Sequence, residues 1–437
     1  MKEFPRSATC MPDYLFLMES RLHPAQWQAV LQVQRAAEVL GMNLYLAGGA
    51  VRDLIGGFPI DDFDFVAEGK ALKLVRELSR QGVRVTGEND ALQAAELEFP
   101  SGVLASVSMA RAETYPKPGV PRITPATILE DLRRRDFSFN AIGISLNPHS
   151  RGLLLDPTNG LADMEKKTIR TLHHYSFLDD PIRMFRAVRF RTRLKFSWDP
   201  KTAAQFQIAK ESEGLEKLPG ESLAQEFRQI AREREPAEIL KALDKERLLE
   251  VLNRRLQGPR VNWQGIAHAT KAGQMLAAAG LPVRSFPLFL HLLTRKLPSR
   301  DQTLVAGRLA LKGSDLQALR KLDENARRLA KDLGGKAAGT PTKLYELLAA
   351  APPELILLAE VEYPQKIVQS RIRTHLRKHL PLRSKLPQTE LRELGVAPDT
   401  ARSQKILDLY FHAMLEGKVG TRSEQAKFLK KLVQAQK

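Results

Sequence analysis

Apolar and polar positions follow two regimes along the chain. Over residues 23–40 the apolar positions, among them Trp27, Val30, Leu31 and Val33, suit a helix. A strand is predicted over 43–46, and the Gly48-Gly49 pair ends it. The pattern then predicts a helix starting at Val51-Arg52-Asp53, a strand over 60–66, an amphipathic helix over 71–81 and several short strands between 83 and 109. This mixture runs to about residue 150. Beyond it the strand patterns vanish, and helices are predicted over 201–213, 223–232, 236–243 and 301–311. Turn-forming punctuation falls at Gly258-Pro259, Gly280-Leu281-Pro282, Gly334-Gly335-Lys336 and Pro352-Pro353. The expected fold class is α+β: a small head with a mixed β-sheet, then an elongated all-α remainder. The expected divisions are a lead-in (1–20), the head (21–150), a helical neck (151–257), a helical body (258–352) and a helical tail (353–437).

Composition narrows what such a chain does. Its 437 residues exceed one compact unit, and a hydrophobic fraction of 43% can fill several cores. The formal net charge of +18 favours a polyanionic partner. The single cysteine, Cys10, excludes a disulfide framework and a Cys-rich zinc site. No apolar run approaches a membrane span, and the N-terminal stretch lacks the apolar core of a signal peptide. A cytoplasmic protein with no membrane partner is therefore expected. Oligomeric state leaves no mark in the sequence.

The segment Leu46-Ala47-Gly48-Gly49-Ala50-Val51-Arg52-Asp53, followed by Asp61-Asp62-Phe63-Asp64-Phe65, carries candidate chemistry. Asp62 and Asp64 are two apart in a strand-like run, so both leave one face while Phe63 and Phe65 leave the other. Paired carboxylates repel unless a cation neutralises them. Mg²⁺ accepts such oxygen ligands and keeps positions for substrate phosphates. Two metals ~3.5–4 Å apart can activate an attacking hydroxyl and stabilise a leaving pyrophosphate. The Gly48-Gly49 bend has no Cβ atoms to block close approach, its N–H groups could face a triphosphate, and Arg52 would add charge there.

These residues carry a resemblance. GGAVRD followed by DFDFV resembles the active-site signature of the nucleotidyltransferase superfamily, and more narrowly the bacterial class II tRNA nucleotidyltransferase and poly(A) polymerase family. Arg134-Arg135-Asp136-Phe137-Ser138-Phe139-Asn140-Ala141 resembles that family's ribose- and phosphate-contacting motif. Asp156-Pro157-Thr158-Asn159-Gly160, with Asp163, resembles its head-to-neck hinge. Asp179-Asp180-Pro181-Ile182-Arg183, continuing through Arg186 to Arg189 and Phe190, resembles its nucleotide-selecting helix. Residues 391–396, 406–407 and 417–419 resemble the tail module of the tRNA enzymes. The resemblance implies that Asp62 and Asp64 are catalytic and bind Mg²⁺. It also implies that Gly48, Gly49, Arg52, Arg135, Asp136, Asn140, Asp180, Arg183, Arg186 and Arg189 bind the nucleotide. Asp180 and Arg183, expected as i,i+3 neighbours on a helix, would present one acceptor and one donor group to cytosine or adenine.

The implied function is template-independent addition of C and/or A to the 3′ end of tRNA, from CTP and/or ATP. Poly(A) polymerase action on other RNAs and an inactive RNA-binding relative stand as alternatives. Ser106 departs from the family pattern where an acidic residue is usual, and Ser222 where an arginine is expected. Asp179 stands where glutamate is commoner. Residues 113–119 occupy the place of the family's flexible loop. No His-Asp dipeptide occurs, so a fused phosphohydrolase module is not expected. Arg295-Lys296, Arg327-Arg328 and the basic residues between 371 and 383, Lys378 included, are the expected RNA track, whose grip should weaken with salt.

Overall fold

The structure is a computed structural model that describes residues 14–436. Cys10 lies outside the described residues. The chain divides into two compact units, one ending at Ser222 and the other starting at Leu223.

The first unit begins with helices α1 (Tyr14–Arg21) and α2 (Pro24–Val39). Residues 14–20 of the expected loose lead-in are therefore helical, and Met18 on α1 is fully buried. Then follow strand β1 (Leu44–Ala47), helix α3 (Gly49–Gly56), strand β2 (Asp62–Ala67) and helix α4 (Ala71–Arg80). Strands β3 (Arg84–Asn89), β4 (Ala94–Glu98) and β5 (Leu104–Met109) come next. Strands β6 (Arg111–Lys117) and β7 (Val120–Pro125) pair with each other. Helix α5 (Ile128–Arg133), a 3₁₀ turn Ser138–Asn140, β8 (Gly143–Ser145) and β9 (Leu154–Leu155) complete the head.

Seven strands form one mixed sheet in the order β3-β4-β5-β2-β1-β8-β9. Within it β2 and β5 run parallel, and the other recorded pairs are antiparallel. Alternation along β2 sets the two faces. Phe63 and Phe65 enter the larger core, against α2 and α4, with ring centroids 6.1 Å apart. Val66, on the opposite face, joins Tyr45, Ala47, Ile128 and Leu132 in a small core under α5. On that same face β2 begins with the exposed Asp62 and the half-buried Asp64.

The expectation that strands stop at residue 150 needs correction. Besides β9, two-residue strands β10 (Thr168–Ile169) and β11 (Ser197–Trp198) pair in parallel. Such pieces are too short to leave a period-two pattern. Helices α6 (Gly160–Glu165), α7 (Ser176–Asp179), α8 (Ile182–Leu194) and α9 (Pro200–Lys210) fill the rest of this unit. The segment before α6 is tied to the start of that helix, and α6 to the 3₁₀ turn. The Asp156 carboxylate accepts from the Gly160 and Leu161 N–H groups, and Asp163 accepts from the Ser138 hydroxyl and Arg170. Any side chain at Gly160 would collide with the Ser138 carbonyl.

In the second unit every regular element recorded is helical. Helix α10 (Gly220–Arg232) enters it, followed by α11 (Pro236–Lys245), α12 (Trp263–Ala278), α13 (Phe286–Thr294), α14 (Ser299–Arg308) and α15 (Gly313–Gly334). Then come α16 (Pro341–Ala349), α17 (Pro353–Glu362) and α18 (Lys366–Thr374), and a π-helical turn His375–His379 leads into α19 (Leu380–Arg383). The last helices, α20 (Gln388–Glu393), α21 (Ala401–Leu415) and α22 (Arg422–Ala435), share a small core of Leu391, Val396, Ile406, Tyr410, Leu429 and Val433. Helix α15 packs against both α13 and α17.

Candidate active site

Gly48 closes β1 and opens α3 with φ +71 and ψ −129, a conformation that only glycine adopts without strain. A Cβ there would meet the Arg135 guanidinium, and would lie 3.6 Å from Asp64 Oδ2. At Gly49 a Cβ would lie 3.7 Å from the same oxygen. Asp64 therefore faces the glycine bend, with Asp62 exposed beside it on β2. In the neighbouring strand Ser106 is in register with Asp64, and its hydroxyl donates to Asp64 Oδ1 at 2.9 Å. The position of the departure from the family pattern thus holds a hydrogen-bond donor to a candidate metal ligand.

Arg135 is held by its own helix turn. Its Nε and Nη2 donate to Asp131 Oδ2 at 3.2 and 2.9 Å, and its Nη1 donates to the Asn140 carbonyl at 3.3 Å. Asp131 is fully buried and also accepts from Arg134. Burial opposes its ionisation, but the Arg135 and Arg134 guanidiniums outweigh that and hold its carboxyl below the usual range. Asp136 is buried too. It accepts from the Phe137 N–H, Asn140 Nδ2 and Arg186 Nε. Burial again pushes upward, yet Arg186, Asn140 and Arg183 together lower it to about 2. Arg186 also lies over the Phe190 ring at 5.6 Å, with Arg189 over the same ring at 4.5 Å.

Arg52 does not reach the open face. It is 3% exposed, donates from Nε and Nη2 to Asp53, and gives Nη1 to Asn140 Oδ1 at 2.7 Å. Its place beneath the bend makes it a support for α3 and the 3₁₀ turn.

Asp180 and Arg183 are close, with Arg183 Nε 3.5 Å from Asp180 Oδ2. They do not share a helix as expected. Helix α7 stops at Asp179, Asp180 takes φ −137 and ψ 87, and Pro181 precedes α8. Proline disfavours the helical conformation in the residue before it, which explains the break. Arg183 is buried and donates to the Ser176 hydroxyl (2.8 Å), the Arg134 carbonyl (3.0 Å) and the Tyr115 hydroxyl (3.3 Å). Tyr115 belongs to the β6–β7 pair, so the expected flexible loop is a hairpin. Its hydroxyl donates to Glu113 at 2.7 Å, and Glu113 also accepts from Arg111 and Arg134. Burial pushes the Tyr115 phenol up, Arg183 opposing, so it stays protonated.

A run of contacts therefore joins the two ends of the site: Asp64, the bend, Arg135, the adjoining Arg134 carbonyl, Arg183 and Asp180. Residues 44–170 match the poly A polymerase head domain family. That head domain holds the bend, both aspartates, Arg135, Asp136 and Asn140; Asp180 and the following arginines lie just beyond it. Over 428 residues, 96% of it, the chain is 28% identical to the A-adding tRNA nucleotidyltransferase of Geobacter sulfurreducens, covering 48% of that protein. With the enzyme of the same name from Aquifex aeolicus it is 40% identical over 211 residues, 48% of this chain and 25% of that one. The chain thus spans half or less of the length of these curated relatives. Among solved structures, a tRNA nucleotidyltransferase complexed with a primer tRNA and an incoming ATP analog matches with TM-score 0.56 and 28% identity, over 84% of this chain and 100% of that one. A tRNA-processing enzyme in an apo form matches with TM-score 0.58 and 26% identity, over 90% and 99%.

Sequence reading missed Tyr115, Asp131, Ser176 and Asp53. Asp131 had a signal, since it stands three and four residues before Arg134 and Arg135. Tyr115 lay in the segment 113–119 of the expected flexible loop, but its meeting with Arg183, like that of Ser176, depends on the fold alone. Among the described residues no helix is long and apolar enough to cross a membrane.

Proposed function

We propose that the chain is a cytoplasmic, template-independent nucleotidyltransferase that adds C and/or A to the 3′ end of tRNA, using CTP and/or ATP. The observation that carries this reading is the run of contacts from Asp64 past the bend and Arg135 to Arg183 and Asp180. Both relatives quoted above are named A-adding, which favours the terminal A as a product.

The donor set fits a divalent cation. Asp62 and Asp64 offer hard oxygen ligands beside a bend that leaves room for phosphates, which suits Mg²⁺. When bound, the cation would offset the charge of the carboxylates and of the reacting phosphates. In the reaction a primer 3′-hydroxyl attacks the α-phosphate, a new P–O bond forms, the α–β anhydride bond breaks and pyrophosphate leaves. To read the incoming base Arg183 exchanges some of its present partners, Asp180, Ser176, Tyr115 and the Arg134 carbonyl, and donates while Asp180 accepts at the base edge; a base lacking the matching groups leaves a buried partner unsatisfied. Arg135 lies over the bend as a cation for the phosphates. Asp136 and Asn140 are positioning residues that hold Arg186 and Arg52.

In the second unit, Lys366, Arg373, Arg377 and Lys378 line a cavity of about 350 Å³, a place for RNA backbone contacts that salt should weaken. Ser106 beside Asp64 favours a second reading, an RNA-binding protein without activity.

The deciding experiment incubates the protein with tRNA lacking its last one, two or three nucleotides, each NTP supplied separately. Labelling by CTP or ATP is expected, and Asp62→Ala or Asp64→Ala should abolish it while tRNA binding persists. Undiminished addition by those variants sinks the assignment. Long A tails on unrelated RNA replace it with a poly(A) polymerase, and tight binding without labelling replaces it with the inactive reading.

A further inference from the structure

Helix α13 is apolar and buried throughout, which makes His291 conspicuous. His291 is 7% exposed, and its Nε2 is buried without a hydrogen-bond partner. It points at two carboxylates from other helices, Asp323 of α15 and Glu362 of α17. Asp323 Oδ1 and Glu362 Oε2 are also buried without hydrogen-bond partners. One ligand atom from each of the three residues lies within 4.8 Å of the others. Three buried polar atoms without hydrogen bonds at one point are costly, at up to ~1–3 kcal/mol for each unsatisfied group, less where an ion-pair neighbour stands near.

We propose that His291, Asp323 and Glu362 bind a divalent first-row transition cation such as Zn²⁺, which pins α13, α15 and α17 together. One imidazole nitrogen with two carboxylate oxygens is a donor set for zinc, whereas Mg²⁺ prefers oxygen alone. Tetrahedral bonds of ~2.0–2.2 Å put ligand atoms roughly 3.4 Å apart. His291 Nε2 and Glu362 Oε1 are separated by 3.4 Å. Arg327 Nη2 donates to Asp323 Oδ2 at 2.8 Å and so orients that carboxylate with Oδ1 turned inward, the support that metal ligands usually receive. The resident counter-ion is Arg295, whose Nε donates to Glu362 Oε1 at 3.0 Å and whose Nη2 lies 3.6 Å from Asp323 Oδ1. Its side chain is 43% exposed and can swing into solvent as the cation enters. Arg295 and Arg327, both part of the RNA track expected from the sequence, each face a carboxylate of this cluster while their side chains stay exposed.

The test uses the full chain, stripped with a chelator and kept in excess Mg²⁺ so that all-oxygen sites are filled. Zinc binding is followed by equilibrium dialysis and by thermal unfolding. Wild-type protein should bind one zinc per chain and gain about 5 °C in Tm at a zinc concentration a hundredfold over its Kd. His291→Gln and Glu362→Gln should each weaken binding at least tenfold and remove the Tm gain. Arg295→Met, which touches only the exposed competitor, should tighten zinc binding several-fold. No zinc-dependent gain in the wild type, or equal zinc affinity in His291→Gln and wild type, overturns the site. If both glutamine variants fail to fold, Arg295→Met decides: unchanged or weakened zinc affinity overturns the proposal as well.

Discussion

Gly48→Ala tests the organisation of the bend, because its cost divides into two parts that can be separated. The first is backbone strain. At φ +71 and ψ −129 an alanine costs ~1–3 kcal/mol whatever surrounds it. The second is displacement of Arg135, whose guanidinium occupies the space the new Cβ would take. Moving Arg135 removes its two hydrogen bonds to Oδ2 of the fully buried Asp131, whose remaining partners, Arg134 and the Arg111 N–H, are both on Oδ1. That loss costs a further ~1–3 kcal/mol. Urea unfolding of wild type, Gly48→Ala, Arg135→Ala and the double variant separates the parts. In the Arg135→Ala background the clash is gone, so Gly48→Ala should cost only its strain. The coupling between the two changes should then be about 1–3 kcal/mol. Nucleotide addition by Gly48→Ala should fall at least tenfold, because Arg135 no longer covers the bend. Stability changes that add to within ~0.5 kcal/mol would refute the contact, and with it the role of Arg135 over the bend.

Tyr115→Phe keeps the ring beside Arg183 but removes the hydroxyl that accepts from Arg183 and donates to Glu113. Discrimination of CTP and ATP against UTP and GTP should loosen several-fold in kcat/KM with little loss of stability; unchanged discrimination removes Tyr115 from base selection. Ser106→Asp sets a carboxylate in register beside Asp64, so the variant should unfold at a lower temperature in chelator yet reach half-maximal addition at several-fold less Mg²⁺. An unaltered Mg²⁺ requirement contradicts the placement of the cation at Asp64. Burial, with a smaller effect from His379, lowers His375 from 6.5 to about 4. The folded state therefore resists a proton that the unfolded chain accepts, so stability falls as pH drops from 6.5 through about 4, by about 3 kcal/mol in all. His375→Phe should flatten urea-unfolding stability across that window, and an identical slope in the variant sinks the argument.

The head was legible because its signals are local. Gly48-Gly49, the alternation of Asp62, Phe63, Asp64 and Phe65, and the amphipathic stretch before Gln81 each lie within a few residues, and β1, β2 and α4 follow from them. The α+β class followed from the same patterns. What was not legible depends on contacts between distant segments. The break at Pro181 was visible as a proline, but its effect on Asp180 was outweighed in the reading by i,i+3 spacing. The inward turn of Arg52 required knowing that Asn140, eighty-eight positions later, would meet it. The β6–β7 hairpin hides behind prolines and charges, because its strands are largely exposed and have little apolar alternation to reveal them.

Net charge was the least specific guide, and the structure explains why. In the head and just beyond it, Arg52, Arg134, Arg135, Arg183 and Arg186 each face a carboxylate: Asp53, Asp131, Asp180 or Asp136. These guanidiniums are organised inward, where each buried charge needs its partner. They shape the site while adding little to any outward field. If the protein binds RNA as proposed, salt dependence of that binding comes chiefly from cations left on the surface, such as those around Lys366, Arg377 and Lys378 in the second unit. Salt should therefore weaken RNA binding more than it weakens the choice of nucleotide, since the cations that choose are shielded from it by their own carboxylates.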